Sequence, residues 1–292
     1  MTAETSLSGS ILGMRVTRTE DPGLLTGSRK YVADVDLENP LHAVFVRSDL
    51  AHGTIRALHV DDARGMPGVV DILTFDTLGV APHDSTVPVH PDFLRPPLAD
   101  GRVRFVGEPI AMILAESEAE GRDAAEAAWA EIDPLPVVID AEHALTEGSE
   151  LIFPAHGSNE AQVIGDSAPN GLEDADVVIR GRYVNQRVAV APMEPDSFAA
   201  EIADDGRLVV HGPNQMPHML KMIVCGVLGM DPATVRAITP QVGGGFGGKV
   251  GLKPEMAAVA AAAKATGRPV MWVPTRSDDM MALPHGRGQV QY

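Results

Sequence analysis

The chain has a single cysteine, Cys225, in 292 residues. One thiol cannot build a disulfide framework, an iron–sulfur cluster or a Cys-rich zinc site. It fits a reducing compartment. Basic residues are scarce: 23 Lys and Arg stand against 40 Asp and Glu, for a formal net charge of −17. That balance repels nucleic acid and anionic membrane surfaces, so neither is expected as a partner. Long apolar runs are missing as well. The stretch MAAVAAAAKATG is too short and too small-sided to be a membrane span. The N-terminal MTAETSLSGSILGM has neither the basic start nor the apolar core of a signal peptide. The ten histidines show no H-E-x-x-H or comparable ligand spacing. Together these absences describe a soluble, cytoplasmic protein.

What is present is ordinary for a globular chain: 45 % hydrophobic and 22 % charged residues. The length suits roughly two domains. Residues 1–15 read as a loose leader. A mixed α/β domain follows over 16–140. LHAVFVRS, GVVDILTF and FVGEPIAMILAES read as strands, and the last is apolar enough to be buried on both faces. The Pro- and His-rich stretch between them, APHDSTVPVHPDFLRPPLADG, reads as a long functional or interface loop. Ser117 and Glu120 form an S-x-x-E capping box. Ala125, Ala128, Trp129 and Ile132 continue at helical spacing, and DPLPVVID leads into another strand. Residues 141–174 read as a connector.

The second domain is expected over 175–292. DVVIRGRYVNQRVAV is strand-like, and Asp204-Asp205-Gly206 marks a hairpin turn. Leu220, Ile223, Val224, Val227 and Leu228 give a helix face closed by Gly229. Pro254 opens a further helix that Gly267 closes. Cys225 sits among the apolar helix residues and reads as a buried, inert thiol. The sequence ends at HGRGQVQY, inside an apparent strand.

Between these elements lies TPQVGGGFGGKVGLKPE, Thr239 to Glu255. Gly243 to Lys249 fits the start of a nucleotide P-loop, but Val250 stands where Mg²⁺ needs Ser or Thr. Gly251 and Pro254 also delay the helix whose amides would face phosphate. Gly243, Gly245 and Gly248 satisfy G-x-G-x-x-G. No helix opens at the third Gly, and no acidic residue stands at ribose distance, since Glu255 is too near and Asp278 too far. A tight turn explains one or two glycines, but not five around one Phe. So dense a run suggests backbone amides that approach a flat or anionic ligand closely.

QVGGGFGGK resembles the glycine–Phe loop of the molybdenum hydroxylase large subunits, the family of xanthine dehydrogenase, aldehyde oxidase and carbon monoxide dehydrogenase. The resemblance runs along most of the chain. RTEDPGLLTGSRKYVADV and VFVRSDLAHGTIRAL are similar to the opening of the family's α/β hammerhead domain, and RFVGEPIAMILAES and PLPVVIDAEHAL to its end. NQRVAVAPMEPDSFAAE, GPNQMPHMLKMIVCGVLGM and GRPVMWVPTRSDDMMALPHGRGQ resemble segments of its molybdenum-binding domain. The implied fold is α+β: an α/β hammerhead followed by the first part of a mixed α/β molybdopterin-binding domain.

The resemblance implies a cofactor site at Gln215, Gly245, Phe246 and Gly247. Gln215 stands where the family has a Gln beside the metal, and a neutral amide can donate to a metal-oxo group. Phe246 is read either as a wall that excludes water and shapes the substrate channel, or as core packing. Gln215 has a loop hydrogen bond as its plain alternative. Lys249 either meets a cofactor phosphate or caps the loop by binding carbonyls. Glu194 holds a channel or interface charge, or forms a structural ion pair.

The family's reaction is oxidative hydroxylation of a small-molecule substrate with water as oxygen source. The implied cofactor is molybdenum with a molybdopterin dinucleotide, of the cytosine form if the source is bacterial. The 2Fe-2S clusters and FAD would lie on partners, an iron-sulfur small subunit and an FAD-binding medium subunit. Two departures matter. The family's subunits are much longer and carry their base Glu in the C-terminal part, so no catalytic residue and no protein ligand to the metal is expected here. Val250 stands where the xanthine-type branch has Glu, which points to aldehyde or carbon monoxide chemistry rather than purines. An N-terminal portion of such a subunit is the expectation. The alternative is a non-catalytic binding or assembly module that keeps the hammerhead and the glycine loop.

Overall fold

The computed structural model describes residues 12–13, 15–83, 89–165, 175–282 and 284–292. Most of the expected leader and part of the expected connector lie outside these. Among the described residues the strands are β1 (Leu41–Arg47), β2 (Gly53–His59), β3 (Val69–Leu73), β4 (Arg102–Val103), β5 (Pro109–Ala115), β6 (Trp129–Pro134), β7 (Tyr183–Asn185), β8 (Phe198–Ile202), β9 (Leu208–His211), β10 (Val235–Ile238), β11 (Val270–Trp272) and β12 (Gln289–Gln291). They form a seven-stranded sheet of order β10-β9-β8-β11-β1-β5-β3, a three-stranded sheet β4-β2-β6, and the pair β12-β7.

The large sheet crosses the expected domain boundary. β1, β3 and β5 come from the first half, and β8 to β11 from the second. The seam is a parallel pairing of β1 with β11, with Leu41 opposite Val270. The Leu41 amide donates to the Pro269 carbonyl at 2.7 Å. One core joins Leu41, Phe45 and Met112 to Phe198, Leu220, Met256 and Trp272. The two expected domains therefore share a sheet and a core. They could be told apart in sequence only because the seam is short and lies far along the chain.

β5 is buried along its whole length. Met112 and Leu114 face the core just named, while Ala111 and Ile113 face a second core with Val46, Ile72 and Ala124. Alternate residues of a strand point to opposite faces, so a strand covered on both sides reads as one apolar run. Helix Glu118–Glu126 packs on the second face. Its N-cap is as expected: Ser117 Oγ accepts from the Glu120 amide at 3.3 Å and donates to the Glu120 carboxylate at 2.7 Å.

That helix ends at Glu126, earlier than its apolar spacing suggests. Trp129 and Ile132, expected on it, lie in β6 instead. β6 pairs with β2 from Gly53↔Pro134 to His59↔Trp129, and Trp129 stacks on His59 with ring centroids 4.0 Å apart. Gly53 has no Cβ, and one there would strike the Asp133 carbonyl. Long-range pairing has overridden a local period, and DPLPVVID contributes only its first two residues to a strand. DVVIRGRYVNQRVAV is likewise shorter than expected: only Tyr183–Asn185 is strand, against β12.

The rest of the second half follows its sequence signals. β8 and β9 form the hairpin, with Gly206 at φ +81° in the turn. Helix Pro217–Leu228 ends at left-handed Gly229, and helix Pro254–Thr266 at left-handed Gly267. Met256 to Ala263 of the latter are all buried. Small alanines let it lie close against β8 and β11, and a helix apolar all round belongs in a core. Among the described residues no helix is long and apolar enough to cross a membrane.

Candidate functional site

The glycine loop runs from the end of β10 to the start of helix Pro254–Thr266 and lies against two other segments, 188–196 and 212–216. Asn214 Nδ2 donates to the Gly251 carbonyl at 2.8 Å, and the Gln215 amide to the Lys249 carbonyl at 2.8 Å. These bonds tie the segment ahead of helix Pro217–Leu228 to the loop. They bring Gln215 side by side with the glycines it was grouped with on sequence.

The five glycines divide into two kinds. Gly244 and Gly247 have φ of +102° and +86°, a region that disfavours a side chain. Gly243, Gly245 and Gly248 are places of close approach. A Cβ on them would strike Glu194, the Gln215 side chain and Val190 respectively. These three let the loop pack on this chain's own residues.

Gln215 Oε1 accepts from the Gly247 amide at 3.0 Å. That bond fixes which end of the amide is oxygen and leaves the Nε2 hydrogens unused among the described residues. The loop hydrogen bond and an outward donor are thus the same arrangement. The Gly243 amide donates to Glu194 Oε2 at 2.7 Å, and the Gly248 amide to the Gly245 carbonyl at 2.8 Å. The amides of Gly244, Gly245 and Phe246 donate to nothing among the described residues. Three consecutive amides and a neighbouring side-chain amide are thus donors without a partner among the described residues, and clustered amides of this kind can hold anions.

Phe246 does not pack in the core. It is 72 % exposed, and its backbone takes φ +51°. A bulky residue in the left-handed region is held there by its surroundings, and such outliers cluster at ligand sites. Here the neighbouring glycines supply the room. The ring stands over Gly244, where an added Cβ would come within 2.9 Å of it.

Lys249 turns the other way and is fully buried. Its ammonium donates to Glu194 Oε2 at 2.8 Å and to the Glu194 carbonyl at 2.9 Å. Of the two readings for it, carbonyl binding is the one the geometry matches: the carbonyl is that of Glu194, beneath the loop. Glu194 is accordingly a structural ion pair. Burial pushes the Lys249 ammonium below its ordinary value, and the bonds to Glu194 pull the other way.

Sequence reasoning missed how far this buried charge extends. Asp279 is wholly buried; it accepts from the Asp196 amide at 2.8 Å and from Arg276 at 2.7 Å. Burial pushes its carboxyl up against the opposing pull of Arg276. Arg276 also donates to the Met193 carbonyl at 2.8 Å. Lys253 pairs with Asp196, and Arg47 with Glu255 at 2.6 Å. The signal was in the strings MEPD, KPE and RSDD: charges set among residues otherwise suited to a core. Cys225 is buried, and desolvation raises its thiol, as an inert core cysteine requires.

The fold and this loop define a hammerhead joined to a molybdopterin cofactor-binding domain. The family description "Aldehyde oxidase and xanthine dehydrogenase, a/b hammerhead domain" matches residues 26–136, and "Molybdopterin cofactor-binding domain" matches residues 152–292. The chain belongs to the molybdenum hydroxylase large-subunit family. It is 33 % identical to the nicotine 6-hydroxylase large subunit of Paenarthrobacter nicotinovorans, over 98 % of this chain and 36 % of that protein. It is 31 % identical to the carbon monoxide dehydrogenase large chain of Hydrogenophaga pseudoflava, over 95 % of this chain and 37 % of that one. Among solved structures, quinoline 2-oxidoreductase from Pseudomonas putida 86 superposes with TM-score 0.82 at 31 % identity, covering 93 % of this chain and 36 % of that chain. The chain thus spans little more than a third of the length of each of these three proteins.

Proposed function

We propose that this chain is the N-terminal portion of the molybdenum-binding subunit of an oxidoreductase. Its substrate would be an aldehyde, carbon monoxide or a related small carbon compound, with water as oxygen source. The observation that carries the reading is the cluster of donors: the amides of Gly244, Gly245 and Phe246, unpartnered among the described residues, beside a Gln215 whose oxygen is already committed to Gly247. Its chemistry fits an anionic, oxo-bearing group. Relatives named carbon monoxide dehydrogenase large chain and aldehyde oxidoreductase support the substrate class.

When bound, a molybdenum–molybdopterin dinucleotide, in its cytosine form, would supply a metal that accepts the substrate's electrons. The roles of this chain's own residues are binding and orientation. Gln215 donates through Nε2 without changing its charge, since a primary amide does not ionise near neutral pH. Gly245 and Gly247 let backbone come up to the group. The exposed Phe246 ring walls the approach and keeps water out. The buried acids Glu194 and Asp279 are paired with Lys249 and Arg276, and a catalytic base would come from outside this chain. Electrons would leave through a 2Fe-2S small subunit to an FAD-binding medium subunit in the cytoplasm. Exposed Ile179, Met193 and Phe246 suit a surface that further polypeptide covers.

The test is metal and pterin analysis of the full chain, purified from a host that makes the cofactor. The lone chain is expected to hold far less than one molybdenum. Co-production with the remaining two thirds of a related subunit should restore molybdenum and release cytidine nucleotide on hydrolysis. Stoichiometric molybdenum in the lone chain would overturn the partial-subunit reading. Absence of molybdenum in both preparations would overturn the cofactor reading.

A further inference from the structure

Outside the loop and its buried charges, the described residues contain one cluster of metal-ligating side chains: His90, Asp92 and His156. Asp92 and His156 lie in two separate one-turn 3-10 helices, Pro91–Phe93 and Pro154–His156, and His90 is the N-cap of the first. We propose that they bind a divalent transition ion of the zinc class and clip these two turns together.

Asp92 Oδ2 lies 3.3 Å from His156 Nδ1 and 3.4 Å from His90 Nδ1. Zinc bonds to imidazole and carboxylate are about 2.0–2.2 Å long, and a tetrahedron of such bonds has ligand-to-ligand edges of about 3.3–3.5 Å. Two of the three edges therefore already have their metal-bound length. All three ligand atoms lie within 4.8 Å of one another, so the third edge closes by a small rotation of a half-exposed ring. The two imidazole rings are 4.5 Å apart and tilted by 56°.

His90 Nδ1 accepts a long hydrogen bond from the Asp92 amide at 3.3 Å. That atom has one lone pair, so an ion bound there takes the place of this bond. Two nitrogen donors and one carboxylate favour zinc, nickel, cobalt or copper over magnesium and calcium, which take oxygen-rich sets. Exposure on one side leaves positions for water.

The joint is built to hold this geometry. Phe93 packs on Phe153 with centroids 4.9 Å apart, and on the His156 ring at 4.7 Å. The Arg104 guanidinium lies 4.8 Å from the Phe153 ring, and Arg102 donates to the Leu151 carbonyl at 3.2 Å. These contacts already join segments that are far apart in sequence. An ion would make the joint conditional on metal.

The experiment uses the untagged full chain, stripped by a chelator and titrated with Zn²⁺ by calorimetry and with Co²⁺ by visible absorption. The expected result is one saturable equivalent, tetrahedral cobalt bands and a higher melting temperature with metal. His156→Gln and Asp92→Asn should each weaken binding at least about tenfold. His218→Gln, at an exposed histidine elsewhere, should not. The metal-free melts of all four proteins should coincide, which separates lost binding from lost folding. Absence of a saturable equivalent, or equal affinity in wild type, His156→Gln and Asp92→Asn, would overturn the proposal.

Discussion

Phe246 and Lys249 stand three residues apart in one loop. Phe246 is 72 % exposed, while Lys249 is wholly buried and hydrogen-bonded twice to Glu194. Below the loop the Lys249 ammonium, which only donates, has both of its hydrogen bonds within the chain, to Glu194. Above it three amides and one side-chain amide have no partner among the described residues, and an aromatic ring is exposed. The difference teaches which part is scaffold and which is site. A base this costly to assemble holds the tip in a shape it would not adopt alone, including a phenylalanine at positive φ.

Substitutions should separate the two regions. Lys249→Met leaves Glu194 buried without its cation, and removing one partner of such a pair costs about 3–5 kcal/mol. Chemical denaturation should show that loss, with a weaker drop for Met at an exposed lysine. The folded Lys249 loses its proton below the ordinary 10.5. Between the two values the unfolded chain holds more protons, so wild-type stability should rise with pH there, and Lys249→Met should lack that rise. Gln215→Ala removes one bond to Gly247 and should cost about 1 kcal/mol. In an assembled enzyme it should lower turnover by roughly 10²-fold, as loss of one oriented donor does, and shift the metal's spectrum. Equal turnover and an unchanged spectrum would remove Gln215 from the site. Phe246→Ala, at an exposed ring, should change stability by no more than about 0.5 kcal/mol; a loss as large as that of Lys249→Met would erase the distinction between tip and base. The smallest effect concerns Cys225: a thiol reagent should leave it unmodified in the native chain and label it after denaturation.

Much of this was legible in the sequence because its signals are local. Gly229, Gly267 and Asp204-Asp205-Gly206 mark their turns without reference to anything distant. β5 announces its double burial as PIAMILA. The grouping of Gln215 with the glycine loop was legible only through family resemblance, since nothing in the spacing says that 215 meets 247. What stayed hidden is non-local. Trp129 and Ile132 kept a helical period but were claimed by β2. Lys249 carried an ordinary surface charge in its string, and only the fold puts Glu194 beneath it. The same holds for β1 and β11, whose pairing no window of sequence contains.

That pairing has a consequence for how the chain is made. The edge of β1 that accepts β11 stays bare until Val270 has left the ribosome, although β1, β3 and β5 can pair long before. Closing so wide a loop is entropically slow, and contacts of large sequence separation delay folding. Until then the hammerhead half carries an open apolar strand edge, the state most exposed to mispairing. Yield in a cell should therefore track how well that edge is shielded during synthesis, and the glycine loop, emerging just ahead of β11, is completed only at the end of that wait.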